Sequence, residues 1–286
     1  MPSQNFAGLS SPYSHLSSAR IVILPVPYDS TTEWHSGARQ GPQAIIDASQ
    51  YLELYDIESD REIYKVGIHT LPLVQPSFKS PEKMVERVYQ VASEILKQEK
   101  LPVMLGGEHS LSLGIVQAFK EKIQDICVLQ LDAHADLRNE YLGTRYSHAC
   151  VMRRIHEICP IVQVGVRSLS LEEKHFLDKN KMHPFYTSTS GCDLSSPENL
   201  VAALSDKVYV TIDLDVFDPA IMPAVGTPEP GGMQWQEILN LLKCVTSSKQ
   251  VIGFDVVELC PEGGNHPSAF LAAKLVYKLI GYVTSK

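Results

Sequence analysis

The sequence predicts an α/β protein, built as a single three-layer α/β/α domain around a mostly parallel sheet. Short apolar runs rich in β-branched residues alternate with helix-like segments along the chain. This alternation is typical of a parallel sheet that helices cover on both faces. The chain has 286 residues, of which 44% are hydrophobic, and this suits one large domain. No internal repeat or linker-like stretch divides the sequence.

Six apolar runs predict the strands of this sheet. Their near-continuous hydrophobicity is typical of strands that are buried on both faces. In chain order, the predicted strands cover residues 19–27, 101–107, 126–134, 161–167, 207–215 and 250–259.

Helix-like segments alternate with these strands, and two of them carry start signals. Pro42 stands near the first turn of the segment after the first strand, a position that suits proline. Ser80 followed by Pro81 predicts the N-cap and first turn of an amphipathic helix. The predicted helices cover residues 41–55, 80–100, 110–122, 148–158, 169–180, 196–205, 233–245 and 268–283.

Composition limits the location and the partners of the protein. Residues 1–18 are expected to form an N-terminal arm without the features of a secretory signal, and residues 19–286 a single domain. No apolar run is long enough to span a membrane. The net charge of −8 argues against nucleic acid or an anionic membrane as a partner and suits a cationic substrate. The six cysteines form no C-x-x-C pair, which favours reduced thiols in a cytoplasmic protein.

Six residues of types that bind metals lie in three short motifs. They are His109 in GGEHS, Asp132, His134 and Asp136 in DAHAD, and Asp213 and Asp215 in IDLD. The motifs lie at the ends of predicted strands, at the edge where parallel sheets bind ligands. Alternate residues of a strand point to the same face, so the members of each motif can converge. Four aspartates at one edge repel each other unless cations lie between them, which predicts a pair of metal ions with shared carboxylates.

The motifs GGEHS (106–110), DAHAD (132–136) and IDLDVFDPAIMPAVGTPEPGG (212–232) resemble those of the ureohydrolase family, which includes arginase and agmatinase. The resemblance extends over nearly the whole chain. It implies a three-layer α/β/α fold, two Mn²⁺ ions per chain, hydrolysis of a guanidino group to urea, and a homotrimer or homohexamer. It assigns one ion to His109, Asp132, Asp136 and Asp213, and the other to Asp132, His134, Asp213 and Asp215. A carboxylate-rich set without thiolates also favours manganese over zinc.

The same resemblance implies two catalytic residues. Glu258 matches the family's glutamate that pairs with the substrate guanidinium, a group that a carboxylate can bind through two parallel hydrogen bonds. His148 matches the family's proton-shuttling histidine, and an imidazole is suited to protonate the leaving amine.

Two positions bear on the rest of the substrate. Arg138 and Thr144 stand where arginases have residues that recognise the α-carboxylate of arginine. This favours agmatine, a cationic guanidino compound that yields putrescine and urea. If Arg138 faces the pocket, it would attract a carboxylate tail, so a 4-guanidinobutyrase or an arginase-like enzyme stays an alternative. A mononuclear zinc deacetylase and an inactive binding relative are further alternatives, and the complete set of six ligands argues against both.

Overall fold

The structure, a computed structural model, describes residues 5–185, 197–261 and 266–285. Its strands are β1 (Ile21–Val26), β2 (Tyr55–Asp56), β3 (Arg61–Glu62), β4 (Ile68–Thr70), β5 (Leu101–Gly106), β6 (Ile126–Leu131), β7 (Ile161–Val164), β8 (Lys207–Asp213) and β9 (Gln250–Val257). Its α-helices are α1 (Gly41–Ser49), α2 (Pro81–Lys97), α3 (Ser112–Lys122), α4 (Val151–His156), α5 (Leu171–Lys179), α6 (Pro197–Ala203), α7 (Trp235–Ser248) and α8 (His266–Val283).

Seven of these strands form one sheet, in the order β4-β1-β5-β9-β8-β6-β7, and β2 pairs with β3 in a separate hairpin. All neighbouring strands of the large sheet are parallel. Along β1, Ile21 and Ile23 pack in the same core as residues of α1, α7 and α8. Val22 and Leu24 point to the opposite face and pack with residues of α2 and α3. The predicted single three-layer α/β/α domain with a parallel sheet is therefore confirmed.

Several predicted boundaries differ from the structure. The predicted helix 41–55 ends at Ser49, because Tyr55 and Asp56 pair with the next segment as a hairpin. The predicted strand 161–167 ends at Val164, where Gly165 adopts a φ of 97° that favours glycine. Strand β4 is not among the predicted strands, because its three residues are too few to show a period. The Ser80 side chain caps α2 as predicted and accepts a hydrogen bond from Lys83 N at 3.2 Å.

The described part of the predicted N-terminal arm is packed against the domain. Phe6 is fully buried in the same core as residues of α1 and α8. Ala7 N donates to Ser49 Oγ at 2.8 Å, and Ile68 N donates to Tyr13 O at 2.8 Å. These contacts hold the segment to α1 and β4, and the boundary at residue 18 stays a prediction.

Cysteine thiols and helix hydropathy bear on two further expectations. None of the five described cysteines forms a disulfide, and four of them, Cys127, Cys150, Cys159 and Cys260, are buried. Cys192 lies outside the described residues. Within the described ranges, no helix combines the length and the hydropathy that crossing a membrane requires.

Candidate metal centre and active site

Four adjacent strands in the middle of the sheet, β5, β9, β8 and β6, carry the predicted site at their carboxyl ends. This is the edge at which parallel α/β sheets bind ligands. One predicted residue follows or ends each strand, in the spatial order His109, Glu258, Asp213 and Asp132. Strands β8 and β9 come late in the chain and lie between β5 and β6, which brings residues from distant motifs together.

His109 lies at the centre of the first group of ligand-type atoms. Its Nδ1 is 3.0 Å from Asp132 Oδ2, 3.2 Å from Asp136 Oδ2 and 3.4 Å from Asp213 Oδ2. The side chain is 1% exposed, and Nδ1 forms no hydrogen bond within the described part of the chain. The ligand atoms of His109, Asp132 and Asp213 lie within 4.8 Å of one another, close enough to hold one metal ion.

A second group shares Asp132 with the first. The ligand atoms of Asp132, His134 and Asp215 also lie within 4.8 Å of one another. His134 Nδ1 is 2.8 Å from Asp215 Oδ2, and its Nε2 is 3.7 Å from Glu229 Oε1. The six predicted ligands therefore converge as two overlapping groups, and Asp132 contributes a carboxylate oxygen to each.

The charges of this cluster are mutually unfavourable. Burial and the charge of Asp132 raise the pKa of Asp136 to about 7, and burial with neighbouring aspartates raises the pKa of Asp213 well above its ordinary value. Burial lowers the pKa of His109, but the surrounding carboxylates outweigh it and raise that pKa well above its ordinary value. The same balance of burial and neighbouring aspartates raises the pKa of His134 to about 12. The cluster therefore favours cations among its carboxylates.

Hydrogen bonds behind His109 orient its ring so that Nδ1 can act as a ligand. His109 Nε2 is 2.9 Å from Thr211 Oγ1, and Thr211 Oγ1 donates to Asp255 Oδ1 at 2.6 Å. A hydroxyl has one proton to donate, so Thr211 accepts from His109 and the ring carries its hydrogen on Nε2. Nδ1 then faces the aspartates, and its lone pair would be available to a metal ion that displaces its proton, the arrangement usual for a metal-binding histidine. The donors thus fit a hard divalent cation.

A row of buried polar residues crosses the sheet directly beneath these ligands. Gln163, Gln130, Thr211 and Asp255 occupy paired register positions on β7, β6, β8 and β9. Gln163 donates to Gln130, and Gln130 Nε2 donates to Asp132 Oδ2 at 2.6 Å. None of these four residues is among the site residues predicted from the sequence. Gln130 and Thr211 carry a signal in the sequence, because each is a polar residue two positions before the first aspartate of a motif, on the same face of an otherwise apolar strand.

Glu258 follows β9 and lies directly beside His109. Its Oε1 accepts a hydrogen bond from His109 N at 2.7 Å, and its own N donates to Gly107 O at 2.8 Å. Its φ of 64° is left-handed, as is the φ of 52° at Asp136. Such backbone strain in non-glycine residues is concentrated at functional sites. Burial, then the charge of Glu108, raises the pKa of Glu258 well above its ordinary value.

His148 lies in the loop before α4 and contacts the loop after β1. Its backbone N donates to Thr31 Oγ1 at 3.0 Å, and its Nδ1 lies 3.2 Å from the same oxygen. Burial, together with the positive charges of His109 and His134, lowers the pKa of His148 to about 4. The ring is therefore neutral at pH 7 in this arrangement.

Arg138 and Tyr141 form a small surface cluster next to His148. The Arg138 guanidinium carbon lies 4.7 Å from the centre of the Tyr141 ring, and Tyr141 OH donates to the Glu33 carboxylate. The Tyr141 ring meets the His148 ring edge to face, with centres 6.2 Å apart. Arg138 is thus engaged by an aromatic face, a contact that the sequence analysis does not predict.

A cavity of about 340 Å³ is lined by Trp34, His35, Pro223, Ala224, Val225, Pro228 and Cys260. Gly226 lies between His35 of this lining and Glu258. A Cβ added at Gly226 would be 3.3 Å from His35 O and 4.0 Å from Glu258 Oε2. The Trp34 side chain is 73% exposed. The cavity therefore lies near the buried carboxylate of Glu258, with Gly226 between His35 of its lining and that carboxylate.

The sequence model of the Arginase family matches residues 19–281. The chain belongs to the arginase family. This arginase-family chain is 37% identical to the N(1)-aminopropylagmatine ureohydrolase of Synechocystis sp. over 272 residues, which cover 92% of this chain and 89% of that protein. It is 35% identical to the agmatinase of Pyrococcus horikoshii over 277 residues, with 94% of each chain covered. The agmatine ureohydrolase structure of Thermoplasma volcanium superposes with a TM-score of 0.85 at 32% identity, covering 93% of this chain and 90% of that one. The predicted resemblance to ureohydrolases is confirmed, and the chain is a hydrolase of that family.

Proposed function

We propose that this arginase-family ureohydrolase holds two Mn²⁺ ions and hydrolyses agmatine to putrescine and urea. The observation that carries the proposal is the pair of ligand groups that share Asp132, placed beside the buried carboxylate of Glu258. One location thereby combines a site for two cations with a partner for a guanidinium. A mononuclear deacetylase has no need of the second group.

The proposed ligand sets are those assigned by the motifs. One ion is held by His109, Asp132, Asp136 and Asp213, and the other by Asp132, His134, Asp213 and Asp215. Buried, mutually repelling carboxylates with two imidazoles support Mn²⁺, a hard cation, over Zn²⁺. When bound, such a pair of ions lowers the pKa of water and so supplies the nucleophile.

Glu258 is the proposed partner of the substrate guanidinium. Its Oε1 is fixed by the backbone N of His109, so the carboxylate has one orientation beside the ligand groups. Burial raises its pKa, and a bound guanidinium would stabilise the ionised form. Two parallel hydrogen bonds would then set the plane of the guanidinium and its distance from the ligand groups.

His148 is the proposed proton shuttle. Its ring is neutral at pH 7, so one nitrogen has a lone pair that can take a proton and pass it to the leaving amine. His148 contacts Tyr141 of the surface cluster, and Thr31 links it to Glu108, the residue before His109. These contacts support transfer between the site and solvent.

The surroundings of the site support a cationic tail. The Glu33 carboxylate accepts a hydrogen bond from Tyr141 OH near His148, and Glu229 Oε1 lies 3.7 Å from His134 Nε2. Arg138, the residue that would attract a carboxylate tail, is stacked on Tyr141. Agmatine lacks the α-carboxylate of arginine and keeps its amine, so its tail carries only positive charge and negative side chains near the site favour it.

N¹-Aminopropylagmatine is a second candidate substrate. Its guanidino end is that of agmatine, and its tail is extended by an aminopropyl group with a further positive charge. The relative from Synechocystis sp., 37% identical to this chain, bears that substrate in its name. The cavity of about 340 Å³ near Glu258 supports a longer tail.

The proposed assembly is a homotrimer or homohexamer in the cytoplasm. A groove of about 960 Å³ is lined by Tyr55, Ile57 and Phe270, whose side chains are large, apolar and exposed. Such a surface suits burial between subunits. The absence of disulfides among the described cysteines suits a reducing compartment.

A urea-release assay on manganese-loaded protein tests the proposed activity. It compares agmatine, N¹-aminopropylagmatine, arginine, 4-guanidinobutyrate and 3-guanidinopropionate at equal concentrations. The highest kcat/KM is expected for agmatine, and a higher value for the aminopropyl compound would select the second candidate. A clear preference for arginine or a guanidino acid would show that the proposed tail is wrong.

A further inference from the structure

Glu108 is a fully buried carboxylate that belongs to neither ligand group. It accepts hydrogen bonds from Thr31 N at 2.7 Å, from Thr31 Oγ1 at 2.8 Å and from Ser110 Oγ. These donors supply the partners that a buried carboxylate requires. Two of them come from Thr31, which lies 77 residues away in sequence.

Close backbone packing brings these two loops together. Glu108 N donates to Tyr28 O at 2.8 Å, and a Cβ on Gly107 would lie 1.9 Å from that same oxygen. Asp29 holds the far end of the loop through Gly37 N, at 2.7 Å. The position of Thr31 over Glu108 is thus imposed by the backbone on both sides.

Thr31 in turn contacts His148 through the same oxygen. Because Thr31 Oγ1 donates its one proton to Glu108, its lone pairs are free to accept. One accepts from His148 N at 3.0 Å, and the other faces His148 Nδ1 at 3.2 Å. Ser147 Oγ lies 3.3 Å from the same nitrogen and can accept as well. With Thr31 Oγ1 available only as an acceptor, these contacts favour the hydrogen of the neutral His148 ring on Nδ1.

We propose that Thr31 and Glu108 are positioning residues for proton transfer by His148. This inference rests on the proposed role of His148 as the shuttle. Glu108 orients the Thr31 hydroxyl, and the hydroxyl holds Nδ1–H of the imidazole. Nε2, on the opposite side of the ring, then carries the lone pair. A proton is gained and lost at Nε2 while the hydrogen on Nδ1 stays in place.

Thr31→Val is the variant that tests the inference, because valine keeps the shape and removes the hydroxyl. Thr31→Ser retains the hydroxyl and is the matched control. Both are made in the wild-type and His148→Asn backgrounds of the full-length, manganese-loaded enzyme. We measure kcat and KM for the best guanidino substrate, together with manganese content by elemental analysis.

We expect Thr31→Val to lower kcat by about tenfold, the effect of one lost hydrogen bond. KM and manganese content are expected to match the wild type, and Thr31→Ser is expected to retain kcat. In the His148→Asn background, Thr31→Val should cause no further loss, because residues that act through one group are not additive. The crystal structure of Thr31→Val should show a rotated His148 ring.

Two results would overturn the inference. An equal loss of kcat in both backgrounds would show that Thr31 stabilises the loop without acting through His148. Full kcat in His148→Asn alone would remove the proposed shuttle itself, and the positioning role with it. If Thr31→Val does not fold, Glu108→Gln replaces it, with manganese content as the control for the neighbouring His109. Its loss of kcat must likewise vanish in the His148→Asn background.

Discussion

Replacement of Thr211 by valine is expected to weaken both the fold and the metal site. Thr211 is fully buried, and its hydroxyl lies 2.9 Å from His109 Nε2, 2.6 Å from Asp255 Oδ1 and 3.2 Å from Ser112 Oγ. Valine has nearly the same volume, so the substitution opens no cavity. It removes the hydrogen-bond partner of two buried groups, His109 Nε2 after β5 and the Asp255 carboxylate on β9.

The expected magnitude follows from those two groups. Leaving a buried donor or acceptor unsatisfied costs about 1–3 kcal/mol. Asp255 keeps its hydrogen bond from Tyr209 OH at 2.7 Å, so the loss of the Thr211 hydroxyl costs this carboxylate an amount at the low end of that range. The His109 N–H loses the acceptor that fixes its tautomer. We therefore expect a loss of about 2–4 kcal/mol in the free energy of unfolding, and a 10–100-fold weaker affinity of the His109 metal, as is usual for such partners.

Urea denaturation of the metal-free protein measures the first effect, and titration with Mn²⁺ measures the second. Thr211→Ser keeps the hydroxyl and is the control, so it should bind Mn²⁺ like the wild type. Equal stability and equal Mn²⁺ affinity in Thr211→Val and Thr211→Ser would refute the assignment of His109 Nδ1 as a ligand held in place by Thr211.

Three further substitutions test separate parts of the molecule. Asp215→Ala should preserve the fold in circular dichroism and reduce manganese from two ions to one per chain in elemental analysis. One tightly bound zinc ion in a fully active wild type would contradict the proposed centre. Arg138→Ala should change kcat/KM for agmatine only slightly, whereas a substrate with a carboxylate tail would lose about 1.5–3 kcal/mol of transition-state binding in the same assay. Burial raises the pKa of Asp56, but hydrogen bonds from Lys278 and Ser59 outweigh it and hold that pKa below its ordinary value of 3.8. The stabilisation by the Asp56 carboxylate is thus present above pH 3.8 and is lost as the pH falls through the lowered pKa. Asp56→Asn should therefore be less stable than the wild type at pH 7, and its unfolding free energy should decline less steeply below pH ~4. Parallel pH profiles of the two proteins would show that the Asp56 carboxylate contributes nothing.

Local signals in the sequence account for most of the fold. The amphipathic period and the Ser80–Pro81 start signal predict a helix that the structure contains as α2, with the Ser80 cap in place. All six predicted strands similarly correspond to strands of the large sheet, namely β1, β5, β6, β7, β8 and β9. The edge strand β4 and the hairpin β2–β3 are missed, because two or three residues show no period and depend on pairing with distant segments.

The candidate site shows the same division. The motif around His134 suggests convergence, because Asp132 and Asp136 alternate with it along one face, and the structure brings all three into the site. Gln130 and Thr211 have no motif of their own, and only strand register shows that each supports a neighbouring ligand.

By itself, the sequence determined the α/β class, the motifs and the family, since periodicity and residue spacing are local properties of a chain. The tertiary structure alone decided that β8 and β9 lie between β5 and β6, and thus that Glu258 meets His109 across 149 residues. It also decided that Thr31 meets His148 across 117 residues, and that Arg138 stacks on Tyr141. The physical reason is that strand order and loop packing follow from the total burial and hydrogen bonding of the whole domain. No local segment carries that information, so contacts between distant residues appear only in the folded chain.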